Sequence, residues 1–383
     1  MFEVLRSFRS ATSIACRLRT ACLAQVQVPL RDGHLALLDG WRGLCILLVM
    51  VGHCFPSLGF LGLIGVEFFF VLSGRLMADL LIFKRQPLGL FVRRRFARVV
   101  PALAVYAFVA GALVNMSSIS TGGDLRLVSP VAALLFVHNY LPIEHVVGVL
   151  EHSWSLAVEE HSYLVLIAIA AISGRRPVLA VSAAFLVSIL LLINGVYFEI
   201  PKDGGQQITW RSDYRIVSVV LSFAVFGAMR LATERATTIR IPWYSPLATM
   251  LAMLAILFLN PAYPAQLIIG TCFAALAVNT IESAGTRWRE CLQHPFLLWA
   301  GTISFSLYLW QQLAFSLAGV FELPAVTAVA GSVVCALWSY RYIENPAREF
   351  LNSRSSAKCH HVNATPPAIE DSGVMPQSLS GVR

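Results

Sequence analysis

The sequence predicts an all-α fold, a polytopic membrane bundle of about ten transmembrane helices. Of the 383 residues, 57% are hydrophobic and only 13% are charged, and the mean hydropathy is +0.69. This composition is too apolar for a soluble domain of such length. The apolar residues form runs long enough to cross a bilayer, and the basic residues gather between these runs.

The net charge of +8 is a topology signal in this sequence. In a soluble protein such a charge would suggest nucleic acid as a partner, but here it lies in short connections between apolar segments. We therefore expect membrane lipids, and no nucleic acid, around the protein. The eight cysteines show neither CxxC pairs nor metal-ligand spacing, so we expect no disulfide framework and no metal site.

Three segments follow one another along the chain. Residues 1–36 are Arg-rich and lack the apolar core of a secretory signal, which favours a basic cytoplasmic tail, with a transit peptide as the alternative. Residues 37–350 contain the apolar runs and form the transmembrane domain. Residues 351–383 are rich in Ser, Pro and small residues without apolar periodicity, and we interpret them as a disordered cytoplasmic tail.

Ten apolar runs are candidate spans, each with an uncertainty of a few residues at its ends. They lie near 43–60, 63–83, 99–116, 154–173, 178–198, 213–231, 244–260, 264–282, 296–318 and 323–340. Placing both termini in the cytoplasm puts 24 of the 29 Lys and Arg residues on that side and only four on the outer side. The positive-inside rule therefore favours cytoplasmic termini.

The first span carries Arg42 at its polar start and His53 near its end. Eleven residues on a helix return to within roughly 20° of the same face, about 16 Å further along the axis. Ionisable groups inside a membrane usually face the bundle interior or a water-filled cavity, which indicates a functional site. The alternative is a packed histidine bonded to a neighbouring helix, with Arg42 snorkelling to the interface.

The second span, in the stretch GVEFFFVLSGRLM, carries Glu67 in its outer part and Arg75 near its middle. A buried arginine requires a partner or an aqueous cavity. Arg75 is therefore a candidate for substrate binding. The alternative is an internal ion pair with Glu67 or Glu159 that serves assembly alone.

Arginines collect where the third span begins, in the stretch FVRRRFARVVP. The positive-inside signal explains such a cluster without further function. Arg95 and Arg98, however, are three residues apart on one helical face and could bind phosphate groups as a fork.

The fourth span begins with HSWSLAVEEHSYL, which places Trp154, Glu159 and Glu160 at a helix entrance. One interpretation is an interfacial anchor with snorkelling acids. The other is an acid or base, or a sugar-binding wall, that faces an outward cavity.

Taken in order, these stretches resemble the acyltransferase 3 family of integral-membrane acyltransferases, which includes bacterial enzymes that O-acetylate surface polysaccharides and lipo-oligosaccharides. The similarity covers roughly residues 35–350. The motifs that carry it are LDGWRG followed by His53, GVEFFFVLSG, RRRFARVVP, WSLAVEEHSYL, ISFSLYLW and ENPAR. Any one of these is weak, but six in the right order on a ten-helix frame are specific.

The resemblance implies transfer of an acyl group, most often acetyl, from cytoplasmic acetyl-CoA to a hydroxyl of a carbohydrate or lipid-linked glycan, at the bacterial inner membrane. It implies His53 as the general base, with Glu159 and Glu67 as further catalytic groups. Arg42, Arg95 and Arg98 would hold the phosphates of the donor. Acceptor binding would fall to Arg75, Trp154 and Glu160.

Five positions depart from the family pattern. Glu67 stands where an aspartate is common, and Arg75 where an apolar residue is usual. His161-Ser162 replaces the usual Gln-Phe after the paired glutamates, and Gln311 replaces the histidine usual after SLYLW. The loss of that histidine affects the expected acceptor site more than the donor site.

A transporter or exporter of a glycan or acyl intermediate is the alternative from another functional class. Charges within spans, such as Glu67 and Arg75, also mark transport pathways. The sequence shows no inverted repeat, which speaks mildly against transport.

Overall fold

A computed structural model describes residues 33–116, 128–141, 146–194, 215–235, 242–258, 263–280 and 286–351. These ranges are helical and contain no β-strand. The predicted tails fall almost wholly outside them. The α-helices of the described ranges are α1 (Gly33–Cys54), α2 (Gly59–Ala78), α3 (Leu88–Met116), α4 (Val128–Leu134), α5 (Ser153–Ser173), α6 (Pro177–Asn194), α7 (Ile216–Arg235), α8 (Ser245–Phe258), α9 (Tyr263–Thr280), α10 (Thr286–Leu292), α11 (Pro295–Val320) and α12 (Ala325–Ser339).

Each of the ten predicted runs overlaps one of these helices. Seven helical stretches in the described ranges are long and apolar enough to cross a membrane: Ala36–Cys54, Pro56–Phe83, Leu88–Val114, Gly148–Ser173, Pro177–Asn194, Ile216–Glu234 and Ala325–Leu351. The apolar parts of α8 and α9 are shorter, and α11, with 26 residues, carries several polar side chains. An all-α, multi-pass membrane bundle is confirmed, while ten crossings and cytoplasmic termini stay predictions.

Two helices begin earlier than the apolar runs indicated. α1 starts at Gly33 and α3 at Leu88, each about three turns before the predicted start. Polar and basic residues such as Arg are good helix formers, so a helix continues beyond the apolar stretch that defines a span. Arg42, Arg95 and Arg98 consequently lie inside regular helix, which fixes the direction of their side chains.

Helix α1 packs closely against α11 at the level of Arg42. A Cβ atom on Gly301 of α11 would lie 1.9 Å from the backbone oxygen of Asp39. A Cβ atom on Gly43 of α1 would lie 2.1 Å from the backbone oxygen of Leu297. Small residues at such crossings let the two backbones touch. This contact fixes the position of Arg42 relative to α11.

A shared apolar core joins α1, α2, α5, α7 and α11. Its buried members include Met50, Phe70, Trp154, Phe223 and Tyr308, one from each helix. The helices that supply the candidate site residues are therefore packed directly against one another.

Candidate active site

The three predicted donor-binding arginines line one cavity of about 80 Å³, which we call the arginine cavity. Arg42 reaches it from α1, and Arg95 and Arg98 reach it from α3. Glu159 and Tyr163 of α5 and Tyr308 of α11 form the facing walls. Four helices that are distant in sequence, α1, α3, α5 and α11, thus contribute side chains to one cavity.

Arg95 is held by two carboxylates and an aromatic ring. Its Nη2 atom lies 2.5 Å from Oε2 of Glu159, and its Nε atom lies 2.7 Å from Oε1 of Glu160. Its guanidinium carbon lies 4.6 Å from the centre of the Tyr163 ring. Glu159 also accepts hydrogen bonds from the hydroxyls of Tyr163, at 2.6 Å, and of Ser73. The network fixes Arg95 in one orientation at the cavity wall.

Arg98 is less compensated than its neighbours. Arg42 pairs with Asp39 at 2.9 Å, whereas Arg98 makes no hydrogen bond or ion pair with any residue in the described part of the chain. Arg42, Arg95 and Arg348 act on it as like charges, and the buried Glu344 acts on it as an opposite charge. Since Arg42 and Arg95 are paired with carboxylates, Arg98 is the guanidinium on this cavity that is best placed to bind an anion such as phosphate.

His53 lines a second and larger cavity of about 310 Å³, the histidine cavity. Its walls come from the end of α1, the start of α2, the turn that leads into α5, and α11. The polar and aromatic residues on these walls are His53, Glu151, His152, Trp154, Tyr308, Gln311 and Gln312. Aromatic rings with a few placed polar groups are typical of a small-molecule binding site.

The two ring nitrogens of His53 have different surroundings. Nδ1 lies 2.8 Å from the backbone oxygen of Val49, one turn earlier in α1. A carbonyl oxygen only accepts hydrogen bonds, so Nδ1 carries the proton in this geometry and Nε2 keeps a free lone pair. The side chain is exposed to the cavity, and its ring lies 5.6 Å from that of Phe315. Since the bond goes to the histidine's own helix, it leaves the ring accessible.

Val66 and Tyr308 line both cavities. The Tyr308 hydroxyl lies 2.7 Å from that of Ser155 and donates to the backbone oxygen of His152 at 3.1 Å. The edge of its ring faces Phe69, with 6.4 Å between ring centres. These contacts fix Tyr308 at the junction of the two cavities.

Glu67 and Arg75 lie outside both cavities, on the far side of α2. The Glu67 carboxylate is buried, 3.0 Å from Nη1 of Arg215 and 2.5 Å from the Thr271 hydroxyl. Arg75 is buried as well and donates to the backbone oxygen of Val278 at 2.6 Å. These two predicted site residues are thus not brought together with His53.

The remaining predicted acceptor residues are divided between the two ends of the site. Trp154 is buried, packs edge-on against Phe70 at 6.0 Å, and lines the histidine cavity. Glu160 is bound to Arg95, beside the arginine cavity. Within the described ranges, His, Cys, Asp and Glu form no group of three that could hold a metal ion.

On the face of α11 that borders the cavities, the sequence analysis singled out Gln311 as a departure from the family pattern and gave no role to Tyr308 or Gln312. Tyr308, Gln311 and Gln312 are spaced i, i+3 and i+4, which places them on one side of a helix. Three polar groups on one face of an otherwise apolar helix are a signal that the sequence already contained. The structure shows that this face is turned towards His53.

Known proteins resemble this chain over most of its length. It is 26% identical over 350 residues to the peptidoglycan O-acetyltransferase OatA of Listeria monocytogenes, covering 82% of this chain and 56% of that protein. It is 24% identical to a putative O-acetyltransferase of Staphylococcus aureus strain MRSA252, over 83% of this chain and 59% of that protein. It is 23% identical to O-acetyltransferase OatA of S. aureus strain NCTC 8325, over 82% of this chain and 57% of that protein. The chain thus spans less than two thirds of the length of these relatives.

No solved structure matches this chain. A family model does: the one described as "Acyltransferase domain" matches residues 35–341, which include both cavities. The chain therefore belongs to the acyltransferase 3 family.

Proposed function

We propose that this protein is an O-acyltransferase that moves an acyl group, most often acetyl, from acyl-CoA to a hydroxyl of a carbohydrate. The observation that carries the proposal is the pair of cavities. One is lined by three arginines, the other by an accessible histidine, and Val66 and Tyr308 line both. Membership of the acyltransferase 3 family supports this assignment.

The arginine cavity is the proposed donor site. CoA carries several phosphates, and Arg98 has a guanidinium that no described residue pairs. Arg42 and Arg95 add two further cations on the same walls. Charge-assisted hydrogen bonds from guanidinium to phosphate are among the stronger polar contacts in proteins. Glu159 and Glu160 act in this proposal by orienting Arg95.

The donor's thioester has to reach the junction of the two cavities. Arg42 and His53 lie on one helix, about 16 Å apart along its axis. A pantetheine arm is long enough to extend from the arginines towards His53. The acyl carbon would then lie at Tyr308 and Val66, within reach of a hydroxyl in the histidine cavity.

His53 is the proposed general base. Its Nε2 atom takes the proton of the acceptor hydroxyl while the hydroxyl oxygen forms a bond to the thioester carbonyl carbon. The carbon–sulfur bond then breaks, and the CoA thiolate leaves and takes up that proton. The products are an ester and free CoA thiol. The Nδ1 bond to the Val49 carbonyl keeps the required tautomer throughout.

The histidine cavity is the proposed acceptor site, with Trp154 as one of its walls. The named activity of the Listeria relative, O-acetylation of peptidoglycan, supports a glycan acceptor here, either a free polysaccharide or a lipid-linked unit. The bacterial sources of the relatives support a location in a bacterial inner membrane. The distribution of basic residues favours an orientation with the arginine cavity towards the cytoplasm, where acetyl-CoA is available.

Glu67 and Arg75 have a supporting role in this proposal. Each is buried and bonded to α9 or to the residue that precedes α7. They hold α2, which carries the walls of both cavities, against those helices.

Mass spectrometry of surface glycans from a deletion strain and its parent tests the proposal. We expect the parental glycan to carry ester-linked acyl groups that the deletion strain lacks and that plasmid-borne wild type restores. Glycans of identical mass would contradict the proposal. Loss of an entire glycan from the surface, with its acyl groups intact inside the cell, would instead indicate an exporter.

A further inference from the structure

Two buried side chains in the histidine cavity have no hydrogen-bond partner. His152 is 6% exposed and Gln311 is 0% exposed. Neither ring nitrogen of His152 and neither amide atom of Gln311 contacts a donor or acceptor among the described residues. Both residues line the cavity that contains His53.

Such a concentration of unsatisfied groups is unusual, because buried polar atoms are nearly always bonded. Other groups on the same walls do have partners. Gln312, the next residue along, donates from Nε2 to the backbone oxygen of Gly148 at 3.2 Å. The hydroxyls of Tyr308 and Ser155 bond each other at 2.7 Å. Among the residues that line this cavity, the buried atoms without a partner belong to His152 and Gln311, whereas others, such as those of Asn279, lie elsewhere in the described ranges.

We propose that His152 and Gln311 form a hydroxyl-binding subsite that holds the acceptor sugar beside His53. The inference rests on the proposed function and adds residues to its acceptor site. A carboxamide both donates and accepts, and a neutral imidazole has one nitrogen of each kind. Neighbouring sugar hydroxyls also donate and accept, so one sugar ring can satisfy both side chains.

The charges on the walls of the histidine cavity indicate which class of sugar can bind there. The described walls of the histidine cavity contain no Lys or Arg, and their carboxylate, Glu151, forms no ion pair within the described ranges. A uronic acid or sugar phosphate at this subsite would bring a second negative charge without a cation to offset it. The unit that receives the acyl group is therefore a neutral sugar or an amino sugar.

The experiment compares full-length variants in the deletion strain. Acetate released from surface glycans by mild alkali measures transfer to the native acceptor, and acetyl-CoA binding by purified protein in lipid nanodiscs measures the donor site. We expect Gln311→Met and His152→Phe to lower released acetate at least tenfold at equal protein level, with an unchanged Kd for acetyl-CoA. Gln311→His keeps a donor and an acceptor, so it should retain at least a third of the acetate.

Thr302→Val is the comparison on the same helix, because the Thr302 hydroxyl bonds the backbone oxygen of Leu298 and lines neither cavity. Its effect on released acetate should be less than threefold. Thermal unfolding separates binding from structural support. An unsatisfied amide contributes nothing that methionine lacks, so the Tm of Gln311→Met should be unchanged or raised. A fall in Tm of more than about 5 °C would show a structural role and overturn the subsite.

Three different results would overturn the subsite, the sugar class and the proposed function, respectively. Parental acetate in both Gln311→Met and His152→Phe would overturn the subsite while leaving the proposed function intact. An acyl group found on a uronic acid or phosphorylated sugar would overturn the assigned sugar class. If wild type itself restores no ester-bound acetate, the proposed function fails, and the subsite fails with it.

Discussion

At the residue scale, the proposed role of His53 as a general base depends on a single backbone contact. The 2.8 Å bond from Nδ1 to the carbonyl of Val49 assigns the proton to one nitrogen and leaves the other as an acceptor. The ring also borders a cavity large enough for part of a sugar. A base needs both a free lone pair and access to the proton that it removes.

Arg98 should make a large contribution to donor affinity. We expect Arg98→Ala to raise the Kd for acetyl-CoA about tenfold, since it removes a charged partner for phosphate. Arg98→Lys keeps the charge but not the forked guanidinium, so its Kd for acetyl-CoA should lie between those of wild type and Arg98→Ala. Arg94→Ala is the control, because Arg94 lies on the same helix but is exposed. Binding to nanodisc-embedded protein measures all four Kd values, and equal values for wild type and Arg98→Ala would refute the assignment.

Glu159 should matter for both stability and donor binding. Glu159→Gln leaves Arg95 buried beside an uncharged amide and weakens the bonds from Ser73 and Tyr163. We expect a loss of about 3 kcal/mol in the free energy of unfolding, together with weaker acetyl-CoA binding. Glu349→Gln, whose partner Asn345 is exposed, is the comparison. Thermal unfolding in detergent measures both variants, and equal Tm values would show that the network contributes little.

The residue types of the site were predictable from sequence, but several partners were not. Arg42, Arg95, Arg98 and His53 stood out because charged groups are rare in apolar runs. The partner of Glu67 is Arg215, 148 positions away, and such a pairing depends on how α2 and the start of α7 pack. Periodicity describes one helix at a time, so it does not report contacts between helices.

At the element scale, the contact of α1 with α11 determines the geometry of the site. α1 carries both Arg42 and His53, and α11 carries Tyr308 and the two glutamines. Backbone contact at Gly43 and Gly301 sets the relative position of these two helices at the level of Arg42. Glycines in an apolar stretch suggest close packing in general, but the sequence does not name the helix that packs there.

Gly301→Ala should therefore impair the protein more than its small volume suggests. The new Cβ atom would lie 1.9 Å from the Asp39 carbonyl oxygen, so α1 and α11 must move apart. We expect a lower Tm and weaker acetyl-CoA binding. Gly319→Ala is the control on the same helix, where a Cβ atom meets nothing within 4 Å. If both variants have the same Tm and Kd, the contact is not as close as the structure indicates.

At the scale of the whole molecule, two cavities meet at Val66 and Tyr308, and the proposed function assigns the donor to one cavity and the acceptor to the other. The all-α membrane bundle was predictable from composition, because apolar runs of this length have few other solutions in a bilayer. The meeting point of the two cavities was not predictable from sequence, since Val66 and Tyr308 lie on different helices and neither residue is charged.

Membrane orientation can be tested with native cysteines. In variants that retain one cysteine each, Cys54 beside the histidine cavity should react with an impermeant maleimide added to intact spheroplasts. Cys291, which is exposed at the end of α10, should react only after permeabilisation, because the basic residues before it favour the cytoplasm. Labelling of Cys291 in intact spheroplasts would reverse the orientation.

The most direct test of the central claim is acetyl transfer by purified wild type and His53→Ala in nanodiscs. Radiolabelled acetyl-CoA is the donor, and de-esterified surface glycan from the deletion strain is the acceptor. We predict that both proteins bind acetyl-CoA with the same Kd, and that His53→Ala transfers acetyl about a hundredfold more slowly or less. Wild-type transfer by His53→Ala would contradict the account.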